Sequence, residues 1–251
     1  MKSTKEPDAT PPNPARRRLL QAAAGAAVAL PAGGAAAQQA QARPAQAAKA
    51  YVFFNPAEAA FIEAALARLI PKDETGPGAI EAAVPEYIDR QLAGAWGAGE
   101  RLYRAGPWHP GTPSQGYQLP FTPAEMFRAA MRNVDPAFPR MSARDQDAYL
   151  DALQKDKRDL GGVPSNIFFE SLLEVTIEGF FSDPAYGGNR DMAAWKMIGF
   201  PGAYADFYEL VDRHGYAYNA PPTSLAQDAS GHVHVVRLEA RMASRTEKQP
   251  R

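Results

Sequence analysis

The chain has 251 residues, a formal net charge of −1 and no cysteine. The missing thiols exclude disulfides, thiolate metal sites, iron–sulfur clusters and a covalently attached c-type haem, so stability must come from the core. The near-neutral charge, with no basic block, argues against nucleic acid and against an anionic membrane surface, both of which call for clustered Lys and Arg.

The first feature along the chain is Ala15-Arg16-Arg17-Arg18-Leu19-Leu20-Gln21, ahead of an Ala/Gly-rich run from Ala22 to Ala37. A basic pair, two apolar residues after a one-residue gap and a weakly apolar stretch make the layout of a twin-arginine export signal. The run is too short and too weakly apolar to span a membrane. Ala35-Ala36-Ala37 offers a small-x-small cleavage site. Ala15, Leu19 and Gln21 depart from the usual Ser or Thr, Phe and Lys. The expectation is a signal over 1–37, read through Arg16 and Arg17, and delivery of the folded chain to the periplasm. The alternative is an N-terminal tail with a chance arginine run.

Residues 38–50 read as an Ala/Gln/Pro linker with no apolar pattern, so order is expected from Tyr51. Asn55-Pro56-Ala57-Glu58 then carries a helix start: a capping side chain, Pro at the first helical position, and a Glu that reaches back. Phe61, Ile62, Ala65, Leu66, Leu69 and Ile70 follow as one apolar stripe that Pro71 ends. Ile80 to Leu92 has helical spacing, which Pro85 divides into a turn and a helix closing at Gly94.

The stretch from Gly94 to Pro120 has no helical period. It is rich in Gly and Pro and holds Trp96, Tyr103, Trp108 and Tyr117. Rings in so long a loop are expected to be buried, either on this chain's core or on a partner. Thr122-Pro123-Ala124-Glu125 repeats the capped start, with Phe121 placed to pack on Met126. Ser142 with Asp145 opens a further helix through Leu153, and Ile167 to Phe181, the most apolar segment, reads as the central buried helix. Asp191–Met197 and Ala205–Val211 read as short helices. Val233, Val235 and Leu238 alternate weakly, as an edge strand or as nothing. The fold class expected is mainly α, an irregular orthogonal helical bundle with long Gly/Pro/aromatic loops over 51–225 and a C-terminal tail over 226–251.

Enzyme signatures are scarce. The chain carries no G-x-S-x-G, no H-E-x-x-H and no phosphate-cradling glycine loop, and Gly97-Ala98-Gly99 lacks a third glycine and a preceding strand. His232 and His234 would share a face on a strand, but no third metal ligand is indicated. His109 lies in the aromatic loop, and His214 follows Arg213 at a helix end. Glu174 and Glu178 stand four apart on the most apolar helix, where burial would raise their pKa values and make an acid/base pair. The bland reading has Glu178 bonded to Arg190 or to a helix N-terminus.

The most distinctive block runs from Glu178 to Gly202 and contains Tyr186-Gly187-Gly188-Asn189-Arg190-Asp191-Met192. Gly187-Gly188 permits a sharp reversal, and Asn189 or Asp191 can cap the helix that bears Trp195. Charged residues alternate there with large rings, the composition of interface hot spots. Tyr186, Asn189, Arg190, Asp191, Trp195 and, from the earlier loop, Trp108 are therefore candidate partner-interface residues. A compact corner that closes the core explains the same residues equally well.

This block closely resembles the small subunit, subunit 3, of membrane-bound gluconate 2-dehydrogenase. Phe53 to Ala65, Ala67 to Pro71, Val84 to Gly94 and Gln115 to Pro120 fit the same family, and the resemblance spans about residues 51–225. It implies a three-part complex. A large flavoprotein subunit holds FAD and oxidises a sugar or sugar acid, and a multihaem cytochrome c subunit, carrying haem c, anchors the assembly at the inner membrane. The small subunit is then non-catalytic, binds the flavoprotein, and supplies the export signal to the twin-arginine translocase for both. The resemblance implies no catalytic, cofactor-binding or metal-binding residue in this chain. Two rival readings stay open: a free-standing periplasmic helical protein that captures a sugar acid with its aromatics and Arg190, and an enzyme built on Glu174 and Glu178.

Overall fold

The computed structural model describes residues 50–109, 111–112, 118–203 and 210–236. The expected signal, nearly all of the linker, Tyr117, most of the 205–211 helix and Leu238 lie outside the described residues.

Among the described residues six α-helices follow one another, as the mainly α expectation requires: α1 Pro56–Leu69, α2 Val84–Ala93, α3 Pro123–Met131, α4 Ala143–Lys155, α5 Ser165–Phe181 and α6 Ala193–Ile198. Among the described residues there is no β-strand, only isolated bridges. Val233 pairs in one of these with Gln227. No described helix is long and apolar enough to cross a membrane.

The helix starts follow from local chemistry. Asn55 Oδ1 accepts the Ala57 and Glu58 amides, each at 3.0 Å, while Glu58 Oε2 accepts the Asn55 amide at 2.9 Å. Thr122 and Glu125 repeat this reciprocal cap at the head of α3. Ser142 Oγ accepts the Asp145 amide at 3.2 Å and opens α4. Each cap satisfies amides that the first helical turn leaves without partners. Pro85 sits in the first turn of α2, so the 80–83 turn and the helix divide as the sequence indicated.

The core forms around α5, which packs against all five other α-helices. Phe168 of α5 meets Phe127 of α3 edge-on at 5.4 Å, and Phe61 of α1 lies 4.9 Å from Phe138. Phe138 belongs to a 3-10 turn, Phe138–Arg140, that sequence reading missed. Three residues carry no period, yet the ring is fully buried and contributes about 2–3 kcal/mol. Gln146 Nε2 donates to the Phe138 carbonyl at 3.0 Å and ties the turn to α4.

The first ordered residues are latched onto this core. Buried Asp89 accepts the amides of Val52, Phe53 and Phe54 at 2.7, 2.8 and 2.9 Å. Arg128 pairs with Glu58, donates to the Phe53 carbonyl, and places its guanidinium carbon 3.9 Å from the centre of the Phe53 ring. The Tyr51 hydroxyl donates to Glu63 at 2.5 Å. None of these pairings was legible in the sequence, because each partner lies far along the chain or on another helix.

The segment read as the central buried helix is central, as α5, but it is buried on one face only. Its inner face is sealed by Phe168, Leu172, Val175 and Thr176, but Glu170, Glu174, Ile177, Glu178 and Phe181 are exposed. Recurring at helical spacing, they form one outer face that no other described element covers fully.

Candidate functional site

The 178–202 block builds a corner around Asn189, which is fully buried. Gly187, at φ 98°, turns the chain, and Gly188 passes so close to α5 that an added Cβ would lie 2.2 Å from the Gly179 carbonyl oxygen. Asn189 then occupies the left-handed region at φ 43°, which Asn tolerates better than most side chains. Its amide donates to the Gly179 carbonyl at 3.1 Å and its Nδ2 to the Ser182 carbonyl at 2.9 Å. Its Oδ1 accepts the Ala194 amide at 2.9 Å, which caps α6 from outside the helix. Asn189 thus does the capping that the sequence left open between it and Asp191.

The other candidate interface residues divide. Trp195 is only 6% exposed, donates from Nε1 to the Phe181 carbonyl at 2.8 Å and stacks edge-on with Phe200 at 5.1 Å. Asn189 and Trp195 are therefore inside the corner and hold it together. Tyr186, Arg190 and Asp191 are exposed. The Arg190 amide donates to the Ala82 carbonyl at 3.1 Å, and its guanidinium pairs with Glu86 at 3.2 Å. Arg190 does not pair with Glu178, contrary to the bland reading.

Described residues further along the chain close over this corner. Asp183 accepts the Ala185 amide at 2.8 Å, the Ser224 hydroxyl at 2.5 Å and the Leu225 amide at 2.8 Å. The Ala203 amide donates to the Thr223 carbonyl at 2.7 Å, and the Val236 amide donates to the Ala185 carbonyl at 2.9 Å. Residues 226–236, expected to belong to a tail, are thus bonded to the corner.

Along the outer face of α5, Glu178 neighbours Glu174, Tyr87 and, through Tyr87, Tyr186. Partial burial holds the Glu178 carboxyl above its ordinary range, the nearby Glu174 charge adds to that, and the Tyr87 hydroxyl opposes it. Burial and the Glu178 carboxylate push the Tyr87 phenol up to about 12. Both glutamates are exposed, so the pair stands in water rather than in a closed site.

Glu174 also lines a groove of about 890 Å³ between the aromatic loop and the first half of α5. Trp108, His109, Gln118 and Leu119 form one wall, and Asn166, Ile167, Glu170 and Ser171 the other. Trp108 is half-buried there, whereas Tyr103 of the same loop is 81% exposed and is not buried on this chain's own core. Sequence reading missed the groove because the loop has no period by which to place it against α5.

His232 and His234 are exposed, with their rings edge-on at 4.8 Å, and His234 Nε2 lies 2.9 Å from Asp228. Among the described residues, no group of three or more His, Asp or Glu side chains is placed to hold a metal ion.

Residues 56–202, more than half of the chain, match the family model of gluconate 2-dehydrogenase subunit 3. The chain belongs to this family. The match takes in α1 through α6, the corner and the groove, and ends at Gly202, before the Thr223–Val236 segment. No curated protein and no solved structure matches the chain. The family match agrees with the resemblance carried by the Glu178 to Gly202 block and by Phe53 to Ala65, Ala67 to Pro71, Val84 to Gly94 and Gln115 to Pro120.

Proposed function

We propose that this chain is the non-catalytic small subunit of a membrane-associated, FAD-dependent sugar or sugar-acid dehydrogenase. It binds the large flavoprotein subunit and supplies the twin-arginine signal, Arg16 and Arg17, that takes both to the periplasm. FAD belongs to the flavoprotein and haem c to a third, multihaem cytochrome subunit, through which the complex is attached to the inner membrane. The observation that carries this reading is the match over residues 56–202 to a family described as a dehydrogenase subunit. The bonding of the distinctive block supports it: Asn189 and Trp195 serve the corner's own architecture rather than a reaction.

The experiment is to express Arg16→Lys/Arg17→Lys chain with its flavoprotein and to measure dehydrogenase activity in periplasm and cytoplasm. The flavoprotein is expected to stay in the cytoplasm. Normal periplasmic activity in that variant would reject the escort role. The sugar-acid-binding rival relied on Arg190 as the anion clamp, and that guanidinium is already engaged by Glu86.

A further inference from the structure

We propose that the outer face of α5, from the groove beside Trp108 to Phe181, is the surface on which the flavoprotein subunit docks, through a segment bearing lysine or arginine. This rests on the reading that the chain works inside a dehydrogenase complex.

The groove comes first. Its volume is that of a site able to take several side chains, and it is open rather than sealed. The side-chain oxygen of Asn166 is buried in its wall and has no hydrogen-bond partner among the described residues. A buried acceptor left in this state costs stability, so whatever fills the groove gains by donating a hydrogen bond.

Charge narrows the occupant further. Glu170, Glu174 and Glu178 stand at successive four-residue steps along about 12 Å of helix. Like charges at this spacing oppose the helix. None of the three forms an ion pair among the described residues, and Lys157, which lines the same groove, pairs with neither Glu170 nor Glu174. Among the described residues the acidic row is therefore uncompensated. Ammonium and guanidinium groups only donate, and both pair with carboxylates, so one cationic insert answers the orphan acceptor and the glutamates together. A free sugar acid carries the wrong sign for the same row.

The far end of the face is apolar. Ile177 is 47% exposed and Phe181 38% exposed, beside Glu178 on the same helix. Apolar side chains flanked by charges are the anatomy of a protein–protein interface, where charge complementarity sets register and association rate. Trp108 at one end and Tyr186, near Tyr87 and Glu178, at the other extend the face beyond α5.

The test is reconstitution of the full chain with the flavoprotein subunit, with association rates measured at low and high salt. Wild type is expected to bind with a rate that falls as salt rises. Glu170→Gln/Glu174→Gln is expected to lose about tenfold in rate and most of the salt dependence, and Glu170→Lys/Glu174→Lys to bind hardly at all. The isolated Gln pair is expected to melt no lower than wild type, because like-charge repulsion has been removed, which separates docking from folding. In a parallel arm, carbodiimide coupling of the wild-type complex is expected to join Glu170, Glu174 or Glu178 to flavoprotein lysines. Wild-type rate and salt dependence in the Gln pair would overturn the docking face while leaving the subunit reading intact. Absence of any wild-type complex would remove both. Gluconate binding to the isolated chain, weakened by the Gln pair, would overturn the proposal and make the groove a small-molecule site.

Discussion

The Asp183 carboxylate accepts the Ser224 hydroxyl at 2.5 Å and so joins the corner of the family block to a segment beyond the family match. Asp183 also holds the Ala185 and Leu225 amides, and it is itself buried. One side chain thus sets the local turn and the long-range strap at once.

Asp183→Ala removes the acceptor for all three donors. Leaving buried donors without partners is expected to cost about 2–4 kcal/mol, measured by urea unfolding. Hydrogen exchange should rise across residues 224–236 while α1 and α5 stay protected. Unchanged exchange in that segment would show that Asp183 does not hold it.

Asn189→Ala strips the Ala194 amide and the Ser182 carbonyl of their partner and puts a less tolerant residue in the left-handed region. The expected loss is about 2–4 kcal/mol. Tyr186→Ala, three residues away but exposed, should change the isolated subunit by less than about 0.5 kcal/mol. Equal effects of the two would contradict the division of the block into a buried hub and an open surface.

Glu178 provides a pH signature. Its folded pKa lies above the ordinary 4.5, through partial burial and the Glu174 charge. Over the window between the two pKa values the unfolded chain binds fewer protons than the folded one, so this group's contribution to stability falls as pH rises. It is fully present below the ordinary value and lost once pH has passed the raised one. Glu178→Gln should therefore flatten the melting-temperature profile across that window and raise it at neutral pH. A profile that keeps the wild-type slope would place the titration elsewhere.

Much of the helical fold was legible because its signals are short-range. A cap is complete within four residues, so Asn55-Pro56-Ala57-Glu58 and Thr122-Pro123-Ala124-Glu125 announce α1 and α3 without reference to the rest of the chain. Period alone placed the stripes of α1 and α4. The same locality made the Tyr186 to Met192 block recognisable as a motif, since its glycines and Asn189 are tied to one sharp reversal.

The amino-acid sequence by itself determined where the capped helices begin, that the fold is mainly α, and which family the chain belongs to. Only the tertiary structure decided which of the block's residues face inward. It buried Asn189 and Trp195, gave Arg190 to Glu86, 104 positions away, and left one face of α5 open. The physical reason is that capping is a contract between neighbours, whereas burial and ion pairing depend on elements distant along the chain. A stripe of apolar residues records that a helix has a face to bury, but not whether its other face will meet protein or water.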